Sequence, residues 1–273
     1  MRDNHTLDRI RRGEPAIGTW LQLGHPAAAR LLAAQGLFDW LLVDFEHAPL
    51  DPAAAAVVLS SVADVSAGRV TPMARVASGS AACIKHALDA GAQGVIVPMV
   101  ESAAEVREAA RHARFPPVGS RGAGGLGPHL GFGVSRPEYL ARANERILFG
   151  VQIETRGALD DLDRILDVPG VDLCFIGPND LHLALGCAAR FWSDEPTFTA
   201  AITRIRSACA ARRTPLGTLC RDAASARARL AEGFTFVGIG SDVHFMLTHA
   251  GAECGPLRGL SEPPTWCDRV AFP

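Results

Sequence analysis

Phe149-Gly-Val-Gln-Ile-Glu-Thr155 and Leu173-Cys-Phe-Ile-Gly-Pro-Asn-Asp180 each carry a short apolar run straight into an acid. Each reads as a buried strand emptying into a turn, with Glu154 and Asp180 just past the strand ends. Barrels and open α/β sheets build their active sites at that edge. Two hard oxygen ligands on adjacent strands suit a divalent cation of the magnesium or manganese type. The chain therefore reads as a metal-dependent enzyme.

Working outward, the same kind of apolar run recurs near 16–22, 40–45, 71–76, 94–98, 147–153, 171–176, 215–219 and 235–239. Helical patterns fill most gaps: Pro26 to Gln35, Pro52 to Val65, Ser80 to Ala90 and Ser102 to Ala113. The last opens on a capping box, Ser102-Ala-Ala-Glu105. Near 196–212, Phe198, Ile202 and Ile205 recur at helical spacing. Eight strand–helix alternations with no linker favour a (β/α)8 barrel, one domain over 1–273, above an open doubly wound sheet. One stretch breaks the rhythm. Phe115 to Pro137 is rich in Gly and Pro and too long for a plain connection, so it reads as a lid or binding loop.

At 273 residues the chain can bury a sizeable core. A net charge of -2 gives no electrostatic case for nucleic acid or an anionic membrane surface. No apolar run approaches the roughly 18 residues of a membrane span. The start, Met1-Arg-Asp-Asn-His5, leads into a charged stretch without the apolar core of a signal peptide. Seven scattered cysteines without a Cys-x-x-Cys pair read as reduced thiols of a cytoplasmic protein. Lysine is nearly absent: Lys85 alone stands among 27 Lys+Arg. Schiff-base chemistry needs a lysine desolvated in a site, and Lys85 falls inside a helical pattern.

The candidate catalytic groups cluster by strand position. Val43-Asp-Phe-Glu-His47 ends the second run, Arg75 the third, Glu154 the fifth and Asp180 the sixth. In a barrel these ends share one face. His47 can exchange protons near neutral pH, Arg75 offers a fork for an anion, and the two carboxylates offer a Lewis-acid site. Such a set suits carbon–carbon chemistry beside a carbonyl. Gln152 precedes Glu154 by two and so points to the same side. Plainer roles stay open: a structural His47, Arg75 as a salt-bridge partner inside the barrel, and Asp180 as a helix cap. The other histidines show no ligand spacing. Gly122-Ala-Gly-Gly-Leu-Gly127 spells the dinucleotide fingerprint, but Phe115-Pro-Pro precedes it and Pro128, Gly131 and Gly133 follow. Without a strand before it and a helix opening within it, the match is accidental.

Val43-Asp-Phe-Glu-His47, Leu88-Asp-Ala-Gly-Ala92, Val97-Pro-Met-Val100, Pro116-Pro-Val-Gly-Ser-Arg-Gly122, Val151-Gln-Ile-Glu-Thr155 and Phe175-Ile-Gly-Pro-Asn-Asp-Leu181 occur in this order. As a set they resemble the HpcH/HpaI aldolase family, the class II pyruvate aldolases acting on 4-hydroxy-2-oxo acids, from about Gly18 to Gly240. The resemblance implies that Glu154 and Asp180 hold magnesium, manganese or cobalt, which chelates the pyruvyl unit. It implies that Arg75 steadies the 2-oxo oxygen and the enolate. His47 would take the 4-hydroxyl proton, directly or through a bound water. Asp89 would pair with that histidine from a neighbouring subunit. Asp44 and Gln152 would form the supporting shell, and the backbone of Gly177, Pro178 and Asn179 would cup the pyruvate carboxylate. Trp20 is a candidate substrate contact bearing, with the lid, on chain length. The resemblance further implies a homo-hexamer, a dimer of trimers, with carboxy-terminal elements packed on a neighbour. One stretch departs from the family pattern: at 123–134 this chain replaces an arginine- and aromatic-rich segment with Ala123-Gly-Gly-Leu-Gly-Pro-His-Leu-Gly-Phe-Gly133. Lid contacts and aldehyde preference are therefore not carried over.

The leading expectation is reversible cleavage of a 4-hydroxy-2-oxo acid to pyruvate and an aldehyde. A related lyase acting on oxaloacetate or a CoA thioester comes second. A barrel that senses a 2-oxo acid without turnover is third, and the full His47, Arg75, Glu154 and Asp180 set argues against it.

Overall fold

The computed structural model describes residues 3–124 and 133–259. Eight parallel strands close on themselves in sequence order, β8 returning to pair with β1. They are β1 Ala16–Leu21, β2 Trp40–Asp44, β3 Thr71–Arg75, β4 Gly94–Val97, β5 Leu148–Ile153, β6 Leu173–Ile176, β7 Leu216–Cys220 and β8 Phe236–Ser241. Each falls on one of the apolar runs, and helices bridge one strand to the next. The (β/α)8 barrel expected from the sequence is the observed fold.

Period-2 alternation divides each strand between two cores. Trp40, Leu42, Met73, Ile96, Leu148, Leu173, Phe175 and Phe236 fill the barrel interior. Their neighbours Leu41, Val43, Ala74, Val95, Phe149, Val151 and Cys174 face the helical layer. Inside, the Trp40 indole stacks on Phe236 with ring centroids 4.1 Å apart, and Trp20 meets Trp40 edge-on at 5.5 Å. A side chain at Gly18 would collide with the Trp40 indole, so glycine is needed to admit the ring. Each fully buried large apolar side chain contributes about 1.5–3 kcal/mol, and these rings make the interior a packed core with no pore.

The charged amino-terminal stretch forms a helix, His5–Arg11, that plugs the end where the strands begin. Leu7 and Ile10 enter the interior core, and the buried Asn4 amide donates to the carbonyls of Gln93 and Arg146 at 2.8 and 3.0 Å. The irregular stretch expected to run to Pro137 ends sooner. Ser135 caps a helix, Arg136–Arg146, with Pro137 in its first turn, where a proline's missing N–H is no loss. Residues 125–132, which hold part of the fingerprint-like glycines and most of the divergent segment, lie outside the described residues. So do residues 260–273, the end of the elements expected to pack on a neighbour. Among the described residues no helix is long and apolar enough to cross a membrane.

Candidate active site

The inward alternation that fills the core with apolar groups delivers polar ones at the strand ends. After Trp40 and Leu42 on β2 the next inward position is Asp44; after Met73 on β3 it is Arg75. The β2–β3 register sets these two side by side. Arg75 grips Asp44 with both arms, Nε to Oδ1 at 2.9 Å and Nη2 to Oδ2 at 2.7 Å. Its Nη1 lies 3.1 Å from Glu46 Oε2, and that same oxygen stands 3.7 Å from His47 Nε2. Burial opposes a charge on Asp44, but the Arg75 fork and the N–H groups of Glu46 and His47 outweigh it and hold the carboxyl below its usual range. Burial likewise opposes the charge on Arg75; Asp44, Glu46 and Glu154 more than restore it. The Glu46 carboxyl is pushed up, chiefly by burial and also by Asp44 and Asp180. His47 is the outermost member, its side chain 60% exposed.

On the β5 line Leu148 and Gln152 face inward, and Glu154 continues that side one step past the strand. Its carboxylate is 2% exposed. It accepts the Met99 N–H at 2.9 Å and the Gln152 side-chain amide. Met99 reaches this geometry through a left-handed backbone, φ 52°, uncommon for a residue with a Cβ. Burial is the main force pushing the Glu154 carboxyl up to about 7; the charges of Asp180 and Glu46 add to it, and the two N–H donors oppose it.

Asp180 stands in the first turn of the helix Pro178–Ala184, half-buried. The N-cap is Gly177, without a side-chain cap bond, so Asp180 is free of the capping role considered for it. Gly177 itself is required by contact. A Cβ there would land on the Glu154 carboxylate and the Gln152 amide, so only glycine lets the β6 turn pass over them.

The residues present fit a divalent cation. Glu154 is a buried carboxylate whose direct partners are neutral donors, Asp180 lies close enough to raise it, and Gln152 Oε1 is buried with no partner among the described residues. Among the described residues no group of three or more His, Cys, Asp and Glu gathers into an all-protein cage. A magnesium-like ion needs none, because one or two carboxylates with water and substrate oxygens complete its shell.

A cavity of about 670 Å3 opens over these groups, lined by His47, Arg75, Gln152, Asp180, Trp20 and Leu219 among others. Gly177, Pro178 and Asn179 form part of its wall. A second hollow of about 650 Å3 lies at the other end of the barrel, around Arg11, Gly13, Arg213 and Thr214, where barrels do not build active sites.

One expected residue is not brought to the mouth. Asp89 is the last residue of the helix Ala81–Asp89, which returns the chain to the start of β4, and its carboxylate pairs with the buried Arg121 at 2.8 Å. Within one chain it cannot orient His47. Lys85, on the same helix, is exposed and away from the pocket. Sequence reasoning missed several groups. Glu46 counted only as a neighbour of His47, and the Met99 amide is a backbone group with no sequence signal. Arg221, His244 and Phe191 line the cavity without belonging to any motif.

A closed barrel whose strand ends gather two carboxylates, a clamped arginine and an open histidine has the frame of an enzyme. Residues 16–249 match the family described as HpcH/HpaI aldolase/citrate lyase. The chain is 38% identical over 264 residues to a hydroxypyruvate/pyruvate aldolase of Pseudomonas aeruginosa, covering 96% of each. It is 39% identical over 262 residues to a 4-hydroxy-2-oxo-heptane-1,7-dioate aldolase of Salmonella dublin, covering 94% of this chain and 97% of that one. A solved HpcH/HpaI aldolase/citrate lyase family protein from Burkholderia cenocepacia superposes with a TM-score of 0.85 at 32% identity, over 93% of this chain and 99% of that one. The chain belongs to the HpcH/HpaI aldolase/citrate lyase family.

Proposed function

We propose that this protein is a metal-dependent pyruvate aldolase, cleaving a 4-hydroxy-2-oxo acid reversibly into pyruvate and an aldehyde. The observation that carries the reading is one pocket lined by Arg75, His47 and Asp180, with Asp44 clamping Arg75 from beneath and the buried Glu154 carboxylate packed under the lining residues Gly177 and Gln152. Glu154 and Asp180 hold the divalent ion, magnesium, manganese or cobalt. Bound there, it supplies Lewis acidity to the 2-oxo oxygen.

The chain's own groups do the rest. Arg75, fixed by Asp44 and Glu46, presents a permanent charge to the 2-oxo oxygen where negative charge develops. The backbone of Gly177, Pro178 and Asn179 receives the pyruvate carboxylate, and Gln152 holds Glu154 in place. His47 takes the 4-hydroxyl proton as the C3–C4 bond breaks; C4 leaves as the aldehyde carbon and the bonding pair stays on the pyruvyl fragment as an enolate. Protonation at C3 then gives pyruvate. In a homo-hexamer, Asp89 of one subunit would face His47 of another and orient it.

The test is pyruvate release from a panel of 4-hydroxy-2-oxo acids by chelator-stripped protein, with Mg2+, Mn2+ or Co2+ added back. Metal-dependent release that disappears in Glu154→Ala is the expected result. Release that survives chelation and the substitution would overturn the metal mechanism. Cleavage of oxaloacetate or a CoA thioester alone would replace the substrate.

A further inference from the structure

Behind the turn of Gly177, Pro178 and Asn179 stands a side chain that takes no part in the cleavage described above. His182 lies one turn further along the helix Pro178–Ala184, wholly buried and outside the cavity lining. Its Nδ1 is 2.6 Å from the Pro178 carbonyl oxygen, and its Nε2 is 2.7 Å from Ser193 Oγ. A carbonyl can only accept, so Nδ1 carries a proton and donates it to Pro178 O. In that tautomer Nε2 accepts from the Ser193 hydroxyl, whose oxygen accepts the Glu195 N–H at 3.3 Å. Both ring nitrogens are thereby paired.

Packing leaves the ring one place to sit. Its face stacks on Phe198 with centroids 3.8 Å apart and planes 15° apart, and Trp192 meets Phe198 edge-on at 5.5 Å. The Arg229 guanidinium covers Trp192 at 4.0 Å. Phe198 belongs to the helix Pro196–Arg212, and Ser193 and Trp192 lie just before it. Phe191, beside them in sequence, lines the cavity. His182 therefore joins two parts of the connection after β6, the turn at Pro178 and the stretch around Phe191. The same bond governs the Pro178 carbonyl. Its oxygen carries partial negative charge and would repel a carboxylate in the cavity; tied to a buried ring, it is kept out of that space.

We infer that His182 is a positioning residue for the pyruvyl carboxylate: through Pro178 and Ser193 it holds the turn of Gly177, Pro178 and Asn179 in the shape that receives that group. The inference rests on the aldolase reading and deepens it. His182 meets no substrate, since it lies outside the cavity. Its effect passes through the turn and falls on pyruvate binding, while the proton transfers belong to other residues.

The test follows exchange of the pyruvate methyl protons in D2O at saturating Mn2+, which reports the pyruvyl half of the site alone. His182→Leu occupies much of the ring's space without a polar atom. Its KM for pyruvate is expected to rise about tenfold, the scale of a lost buried hydrogen bond, with kcat little changed. His182→Asn, whose amide can still donate to Pro178 O, is expected to recover most of the affinity. Ser193→Ala keeps the Pro178 bond and frees the Phe191 side, so its KM should rise by less. An unchanged KM in folded His182→Leu, or a fall in kcat at constant KM, would overturn the positioning role. So would an Asn variant no better than Leu. Should His182→Leu fail to fold, Ser193→Ala decides, and a wild-type KM there overturns the inference. Wild-type protein that exchanges no methyl protons would instead overturn the aldolase reading on which the inference rests.

Discussion

Gln152 donates its side-chain amide to Glu154 while its own side-chain carbonyl oxygen stays buried without a partner among the described residues. Glu154 is thus a buried carboxylate steadied directly by neutral groups, Gln152 and the Met99 amide. A buried charge without a cation in direct contact costs stability, and a bound divalent ion reduces that cost. In metal-free protein at pH 8, Glu154→Gln is expected to match or exceed the wild-type Tm. Added Mn2+ should raise Tm in the wild type and leave the variant unmoved. Thermal unfolding with and without Mn2+ decides this; an equal gain in both proteins would remove Glu154 from the metal site.

Arg75 serves two carboxylates at once, and its planar fork is what allows it. Arg75→Lys keeps the charge but can hold only one of them well, so the cation would lose the aim at the 2-oxo oxygen proposed for it. A fall in kcat of about 10²–10³ is expected, the scale seen when one donor to a developing oxyanion is removed. Steady-state rates at saturating metal and substrate measure it. A variant with wild-type kcat would leave Arg75 a purely structural partner of Asp44.

The Asp44–Arg75 pair also has a pH signature. The Asp44 carboxyl titrates below its ordinary value of 3.8 in the native state. The unfolded chain therefore takes up this proton first as pH falls. The stabilisation is complete above about pH 4 and is lost as pH drops through the lowered native value. Asp44→Asn leaves Arg75 buried with Glu46 alone, which should cost about 3 kcal/mol at pH 7, the low end for a broken buried pair. Urea unfolding of both proteins from neutral pH down to about pH 2 should show the gap narrowing in acid. A gap independent of pH would contradict the pairing.

Much of this was legible in the chain, for a definite reason. β5, apolar but for Gln152, and β6, with Leu173, Cys174, Phe175 and Ile176, read as near-continuous apolar runs because both their faces are buried. The acids at their ends stand out against that background. The helix His5–Arg11 hid in a charged stretch, since its buried side holds just two apolar residues, Leu7 and Ile10, beside the polar Thr6. At the site, carboxylates, arginine and histidine carry their chemistry in their names. The Met99 N–H does not, because what matters is a backbone angle, and Gly177 matters only through what passes beneath it. His182, one of the histidines without ligand spacing, is buried, and its two ring nitrogens meet Pro178 O at 2.6 Å and Ser193 Oγ at 2.7 Å. Asp89 shows the opposite limit, for the partner expected of it belongs to a neighbouring subunit, while within this chain it pairs with Arg121.

Lys85 supplies a control on mechanism. It is exposed on the outer face of a helix, where its amine is solvated and does not enter the pocket. Lys85→Ala is expected to keep kcat/KM within about twofold, the range of surface substitutions remote from a site. Borohydride added during turnover with pyruvate should trap no adduct, read by intact-protein mass. A trapped adduct that vanishes in Lys85→Ala would replace the metal-dependent route with an imine.

Gly177 tests whether the carboxylate and the β6 turn form one fitted unit. Its backbone, φ -89° and ψ 96°, is open to alanine, so Gly177→Ala strains nothing by conformation alone. The added methyl instead falls on the Glu154 carboxylate and the Gln152 amide. Either the turn lifts or Glu154 swings away, and in both cases the two carboxylates proposed to hold the metal separate. Mn2+ affinity is expected to weaken about 10–100-fold, comparable to losing a group that orients a metal ligand. Overpacking should cost about 1–3 kcal/mol of stability. Titration of Mn2+ by calorimetry, beside a Tm measured without metal, separates the two effects. Wild-type Mn2+ affinity in a folded Gly177→Ala protein would mean the turn has slack, and Glu154 is not held where the structure puts it.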